Sequence, residues 1–144
     1  MREFVINIYL LAGAYEDKKT KRIKTLYLWL GGLLGIVCKM VDFGNKNLNF
    51  YEWIFSVIPG LLFLICAKAG NEKIGDGDGW VLIILGSCLP GVQIWGVFYF
   101  SVLLSAFYSL ILLVMKKANR KTEIPYIPFL WMSDVVIRGL QYVL

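Results

Sequence analysis

Histidine is absent from this chain of 144 residues. That removes the usual zinc ligand sets and any Ser or Cys catalytic triad that depends on an imidazole base. Charge is scarce, at 17% of residues, and only 4 prolines are present. No Pro- or Ser-rich linker divides the chain and no internal repeat is visible, so 1–144 reads as a single domain. Cys38, Cys66 and Cys88 are widely spaced, form no CxxC pair and fall inside apolar segments. They read as small apolar packing residues and identify no redox compartment. Acid–base chemistry is left to carboxylates, lysines or tyrosines, with no metal and no cofactor implied.

What the chain has in quantity is apolar length. Hydrophobic residues make up 58% of it and the mean hydropathy is +0.66. A soluble fold would need several helices apolar all round, with little polar surface to cover them. The long uncharged runs predict an all-α polytopic membrane protein with about six transmembrane helices, at 3–16, 25–41, 51–69, 80–95, 97–115 and 127–144. Arg2 ahead of the Phe4–Ala14 run has the look of a signal peptide. The basic residues that follow at once, with no exported domain behind them, favour a retained first helix.

Lysine and arginine orient the segments. Lys18, Lys19, Lys21, Arg22 and Lys24 follow the first segment, Lys68 and Lys73 the third, and Lys116, Lys117, Arg120 and Lys121 the fifth. The second connection carries Lys39 and Lys46, and the fourth, expected around Gln93, carries none. Odd-numbered connections are therefore expected in the cytoplasm and both termini outside, in a multi-pass protein of the plasma membrane. This asymmetry accounts for the net charge of +5. The basic loops would face anionic lipid heads, and no nucleic-acid partner is needed. Nothing in the sequence decides between a monomer and a homodimer.

The run Gly75-Asp76-Gly77-Asp78-Gly79 stands out against this background. Carboxylates at a membrane boundary are costly to desolvate and point to function, and glycines let another backbone come close. Asp17, with Glu16, ends the first segment on the face where Asp78 begins the fourth, so helix packing could bring Asp17 and Asp78 together. Two carboxylates in one site cannot both ionise cheaply; one keeps its proton, and such a pair can run aspartyl-type hydrolysis. The dipole of the fourth helix favours Asp78 as the more ionised partner. Simpler readings are a helix cap or a solvated loop. A cation site of EF-hand type fails, because Trp80 and Ser87 stand where ligands are needed.

Gly75-Asp76-Gly77-Asp78 resembles the GxGD motif of the type IV prepilin peptidases, a family of intramembrane aspartyl proteases. Asp17 followed by a basic stretch and Ile23 resembles that family's first aspartate, and Pro125-Tyr126-Ile127-Pro128-Phe129 resembles its proline-rich opening of the last helix. The resemblance implies Asp17 and Asp78 as the catalytic pair, with Gly75, Asp76 and Gly77 in support. It also implies cleavage of the basic leader of prepilin-like precursors at the cytoplasmic face, just before their hydrophobic helix. The zinc-binding cysteine loop of bifunctional members is missing, so methyltransferase activity is not implied. Lys24-Thr25 and Trp80 depart from the family's Pro-Asn and Lys. Those departures set up the alternative of a catalytically silent membrane protein of the same fold serving pilus or secretion assembly. A small cation transporter is a third reading.

Asp134 and Arg138, four apart, share a helix face and are expected to form a structural ion pair. Trp29, Trp53, Trp80, Trp95 and Trp131, with Tyr51 and Tyr126, sit near segment ends and read as aromatic belts. Gly31 and Gly35 are spaced for close helix packing. Pro59-Gly60 and Pro90-Gly91 are expected to kink or break the third and fourth helices.

Overall fold

A computed structural model describes residues 2–20, 24–44, 49–69, 76–115 and 124–143. Six helices occupy them: α1 (Arg2–Thr20), α2 (Thr25–Gly44), α3 (Phe50–Ala69), α4 (Asp76–Cys88), α5 (Gly91–Val114) and α6 (Ile127–Val143). No strand occurs among the described residues. Helices satisfy their own backbone polar groups, which is what a bilayer demands of a spanning segment. α2, α3 and α5 are long and apolar enough to cross one. α1 and α6 carry charged residues, and the 13 residues of α4 reach only about 20 Å of a core about 30 Å thick. Leu33, Ile36 and Met40 on α2, and Phe107, Leu110 and Val114 on α5, are exposed. These faces suit lipid.

Hydropathy misplaces one boundary. The expected fourth and fifth segments, 80–95 and 97–115, are α4 ending at Cys88 and α5 beginning at Gly91. The connection therefore lies at Leu89–Pro90, and Gln93 is buried inside α5. Pro90 is the N-cap of α5 with φ −59° and ψ 148°. Its missing N–H and its ring stop α4, while the apolar character runs on across the turn and hides it.

Pro59 behaves differently: α3 runs through it from Phe50 to Ala69. A proline at this position leaves the carbonyl four residues earlier, that of Phe55, without its helical donor. The Trp95 indole Nε1–H of α5 donates to that carbonyl at 3.1 Å, and the Phe55 and Trp95 rings pack 5.5 Å apart. The neighbouring helix thus resatisfies the freed backbone group, and the expected break does not occur.

α4 is the axis of the bundle, packed against α2, α3 and α5 and touching α1; α6 lies between α1 and α5. Seven of its residues are buried: Gly79, Val81, Leu82, Ile84, Leu85, Gly86 and Cys88. Its closest neighbour is α3. A methyl group at Gly60 would lie 2.6 Å from Ile83 Cγ1, and one at Gly86 would overlap the Ser56 carbonyl. Only small residues allow this approach, where van der Waals contact has to replace the hydrophobic effect. Gly31 also serves a close contact, lying beneath the Tyr9 ring. The Tyr9 and Tyr27 rings stack 4.3 Å apart, and the Tyr27 hydroxyl donates to the Tyr9 carbonyl at 2.8 Å, joining α1 to α2.

Ion pairs fasten both ends. Arg2 meets Asp42 at 3.0 Å where α1 begins and α2 ends, and Lys24 meets Glu16 at 2.9 Å at the opposite end. Asp134, fully buried, and Arg138 form the expected pair at 2.8 Å, with Glu3 at 3.9 Å from the same guanidinium. Cys38 and Cys88 are buried free thiols that face each other across α2 and α4, and Cys66 is exposed. An open groove of about 1140 Å³ runs along α2 and α4, with Trp29, Leu33 and Ile36 of α2, Trp80 and Ile83 of α4, and Trp53 of α3 among its lining.

Replacing Trp95 by Phe should destabilise the protein by about 1–3 kcal/mol, because the Phe55 carbonyl then lies unpaired in apolar surroundings. In a Pro59→Ala background α3 regains its own N–H, and the same replacement should cost markedly less. A double-mutant cycle by thermal or denaturant unfolding in detergent checks this; equal costs in both backgrounds would refute it.

Candidate active site

The site begins at the N-terminus of α6. The Tyr126 carbonyl accepts from the N–H of Phe129 at 3.0 Å and of Leu130 at 3.2 Å, which makes Tyr126 the N-cap. Pro128 has no N–H, so among the first residues of the helix it adds no orphan donor. The Ile127 N–H remains, and it donates to Asp17 Oδ2 at 3.1 Å. Asp17 comes from the last turns of α1, 110 positions away in sequence. A side chain of one helix thus caps another, at the end where the helix dipole favours a negative charge. Asp17 is only 5% exposed. Burial pushes its carboxyl up, and the N–H groups of Ile127 and Tyr126 oppose that by stabilising the anion.

Asp78 arrives from the first turn of α4 and is half-buried. Burial, and after it the negative charge of Asp17, push its carboxyl up to about 7. Asp17 and Asp78 both lie outside the segments 3–16 and 80–95, at the helix ends. The charge of Asp17 reaches Asp78, so the last turns of α1 and the first turn of α4 lie near each other.

The Asp78 carboxyl is raised, against the direction that the α4 dipole alone would give it. The dipole of α4 favours an Asp78 anion, but the hydrogen-bond donors of α6 are spent on Asp17. Desolvation outweighs the dipole at Asp78. The α6 donors favour an Asp17 anion, while burial and the charge of Asp17 favour a protonated Asp78 in the coupled pair.

Tyr126 completes the cluster. It is expected as a belt residue, yet it is buried, stacked on Phe63 of α3 at 4.9 Å, and 2.6 Å from the Ser101 hydroxyl of α5. Burial, and the nearby charge of Asp78, raise its phenol, so it stays protonated. Neither Ser101 nor the Ile127 amide is visible as a site group in the sequence. The readable signal is Pro125 and Pro128 flanking a tyrosine at a helix start, a pattern that leaves few orphan N–H groups for a ligand or a side chain to meet.

The other expected site residues divide. Asp76 is exposed at the first position of α4, and Gly77 is half-buried beside Asp78. Gly75 lies outside the described residues. Gly79 admits the Leu64 side chain of α3 where a methyl group would stand 2.6 Å from it. Trp80, about 200° round the helix from Asp78, is half exposed and lines the groove along α2 and α4. It faces away from Asp17. Lys24 is paired with Glu16. Among the described residues no group of three His, Cys, Asp or Glu side chains could hold a metal ion.

The sequence matches the type IV leader peptidase family over residues 4–114. The chain belongs to this family. Its members are peptidases of the aspartic type, and the matched stretch holds Asp17, Asp76 and Asp78 but stops before α6. The amide that meets Asp17 therefore comes from outside the part that identifies the family. Comparison with curated proteins and with solved structures returned no match.

A carboxyl held above its ordinary range stabilises the fold while protonated, and that stability is lost as pH rises through the folded-state value. Thermal stability in detergent should therefore fall as pH rises from about 4 to about 7. Asp78→Asn should flatten the fall, because the amide has no proton to lose. An unchanged pH dependence in the variant would show that Asp78 is not the buried acid.

Proposed function

We propose that the chain is a membrane-embedded aspartyl endopeptidase that removes the basic leader of prepilin-like precursors at the cytoplasmic face. Asp17 and Asp78 are the reacting pair. The observation that carries this reading is the unequal environment of two carboxyls at one site, one meeting a helix N-terminus and the other desolvated. Such a pair supplies a base and an acid at the same pH.

The chemistry follows from that inequality. Asp17 takes a proton from water, whose oxygen attacks the scissile carbonyl carbon while Asp78 donates its proton to the carbonyl oxygen. The tetrahedral diol then collapses: the C–N bond breaks, Asp17 returns its proton to the leaving amine, and Asp78 recovers its own from the diol hydroxyl. Asp76, exposed beside the pair, adds negative charge that a basic leader would meet. The lysines that follow α1 and α5 support a cytoplasmic location for this end of the bundle.

With a precursor carrying a short basic leader, a glycine and a hydrophobic helix, Asp17→Asn and Asp78→Asn should each lower cleavage by about 100-fold or more. Both variants should still insert. Asp76→Asn should act more mildly, raising KM more than it lowers kcat. Full cleavage by either of the first two variants would overturn the assignment. In the unsubstituted protein the rate should decline as pH rises through about 7, where Asp78 loses its proton, and should decline again in acid as Asp17 gains one. A rate that climbs steadily above neutrality would contradict the roles given to the two carboxyls.

A further inference from the structure

The Ile127 amide can hold Asp17 only if the turn that presents it is itself fixed, and the first backbone bonds of α6, from Phe129 and Leu130 to the Tyr126 carbonyl, tie that turn only to its own helix. Its anchor is one peptide unit away. The Ser101 hydroxyl donates to the Phe98 carbonyl of its own helix at 2.8 Å, so its single hydrogen is committed there. The 2.6 Å contact with Tyr126 is then made by the phenol donating to Ser101 Oγ. The ring lies on Phe63 at 4.9 Å and 27°, and Phe63 is itself met edge-on by Phe98 at 6.5 Å. Three helices thus converge on one side chain: α5 holds its hydroxyl, α3 its face, and its own backbone opens α6.

We infer that Tyr126 is a positioning residue for the carboxylate pair: its phenol, bonded to Ser101, fixes the α6 turn so that the Ile127 N–H stays on Asp17. The inference rests on the reading of Asp17 and Asp78 as the reacting pair. Tyr126 donates no proton to substrate in this scheme, since its hydrogen is committed to Ser101 Oγ. The groups facing Asp17 are Asp78 from α4, Tyr27 from α2 and the backbone N–H groups of Tyr126 and Ile127 from the α6 turn, with the Glu16–Lys24 pair beside it. Of these, the Tyr126 segment supplies the hydrogen bond to the carboxylate.

Tyr126→Phe keeps the stacking ring and deletes the hydrogen bond, while Ser101 retains its Phe98 acceptor. Precursor cleavage should show kcat lowered about tenfold with KM within about twofold. The acid limb of the pH–rate profile should move up by about one unit, because the Asp17 anion loses part of its donor. Ser101→Ala should act alike, and the double variant should be no worse than either single one, since both remove one bond. A purely structural tyrosine would lower the melting temperature and leave the acid limb in place; that result, or additive single effects, would overturn the inference. Carbon-13 titration of the aspartate carboxyls in detergent, with Asp17 assigned through Asp17→Asn, measures the same shift without catalysis. If the unsubstituted protein cleaves no precursor, the functional reading fails. The titration still decides the role of Tyr126: an Asp17 midpoint equal in the Tyr126→Phe variant rejects it, and one displaced upward supports it.

Discussion

A buried carboxylate needs hydrogen-bond donors, and in this bundle the donors of one helix terminus meet Asp17. Burying an ionised carboxyl without partners costs far more than a small domain has to spare. The N-terminus of α6 offers a backbone N–H and the positive end of a helix dipole, and Pro128 keeps the set of orphan donors small. This interaction ties the first helix to the last, residues that no local force would bring together. Bringing α6 to that point requires α1 and α5 to hold it on both sides, and they do.

The remaining packing serves α4. In lipid, two apolar helices gain little from the hydrophobic effect when they meet, so they must come very close or share polar bonds. α3 and α4 use the first solution, at Gly60, Gly79 and Gly86. α3 and α5 use the second, with the Trp95 indole on the carbonyl that Pro59 leaves free. α6 meets α1 through Arg138, which is paired with Asp134 of its own helix and lies 3.9 Å from Glu3. These contacts set the depth and rotation of α4 to which Asp78 owes its half-buried state.

Much of this was legible in the sequence, and the parts that were not share a cause. Apolar runs and lysine asymmetry predict the helices, their number and the meeting of Asp17 with Asp78, because hydropathy and charge act locally along the chain. The α4–α5 turn was misplaced since a proline stop inside continuous apolar sequence leaves hydropathy unchanged. Tyr126 was read as a belt residue because its position at a segment end is the same whether it faces lipid or the interior. Only the partners on α3 and α5 distinguish the two. The raised Asp78 carboxyl is hidden for a related reason: the sequence reveals that Asp78 lies at a helix N-terminus, but not that Asp17 lies at another.

That last point bears on how two chemically identical groups come to act differently. Both aspartates sit near the positive end of a helix, so the dipole alone does not separate them. Asp17 faces the terminus of a helix other than its own and receives its N–H head-on. Asp78 lies within its own first turn, loses water to the packing around α4, and then feels the charge of Asp17. The asymmetry is therefore set by which helix each carboxyl faces, not by the one that carries it. Trp80, where the family pattern has a lysine, lies on the far side of α4 in the groove along α2. A change at that position alters a face of α4 that the two carboxyls do not share, which separates it physically from the balance between them.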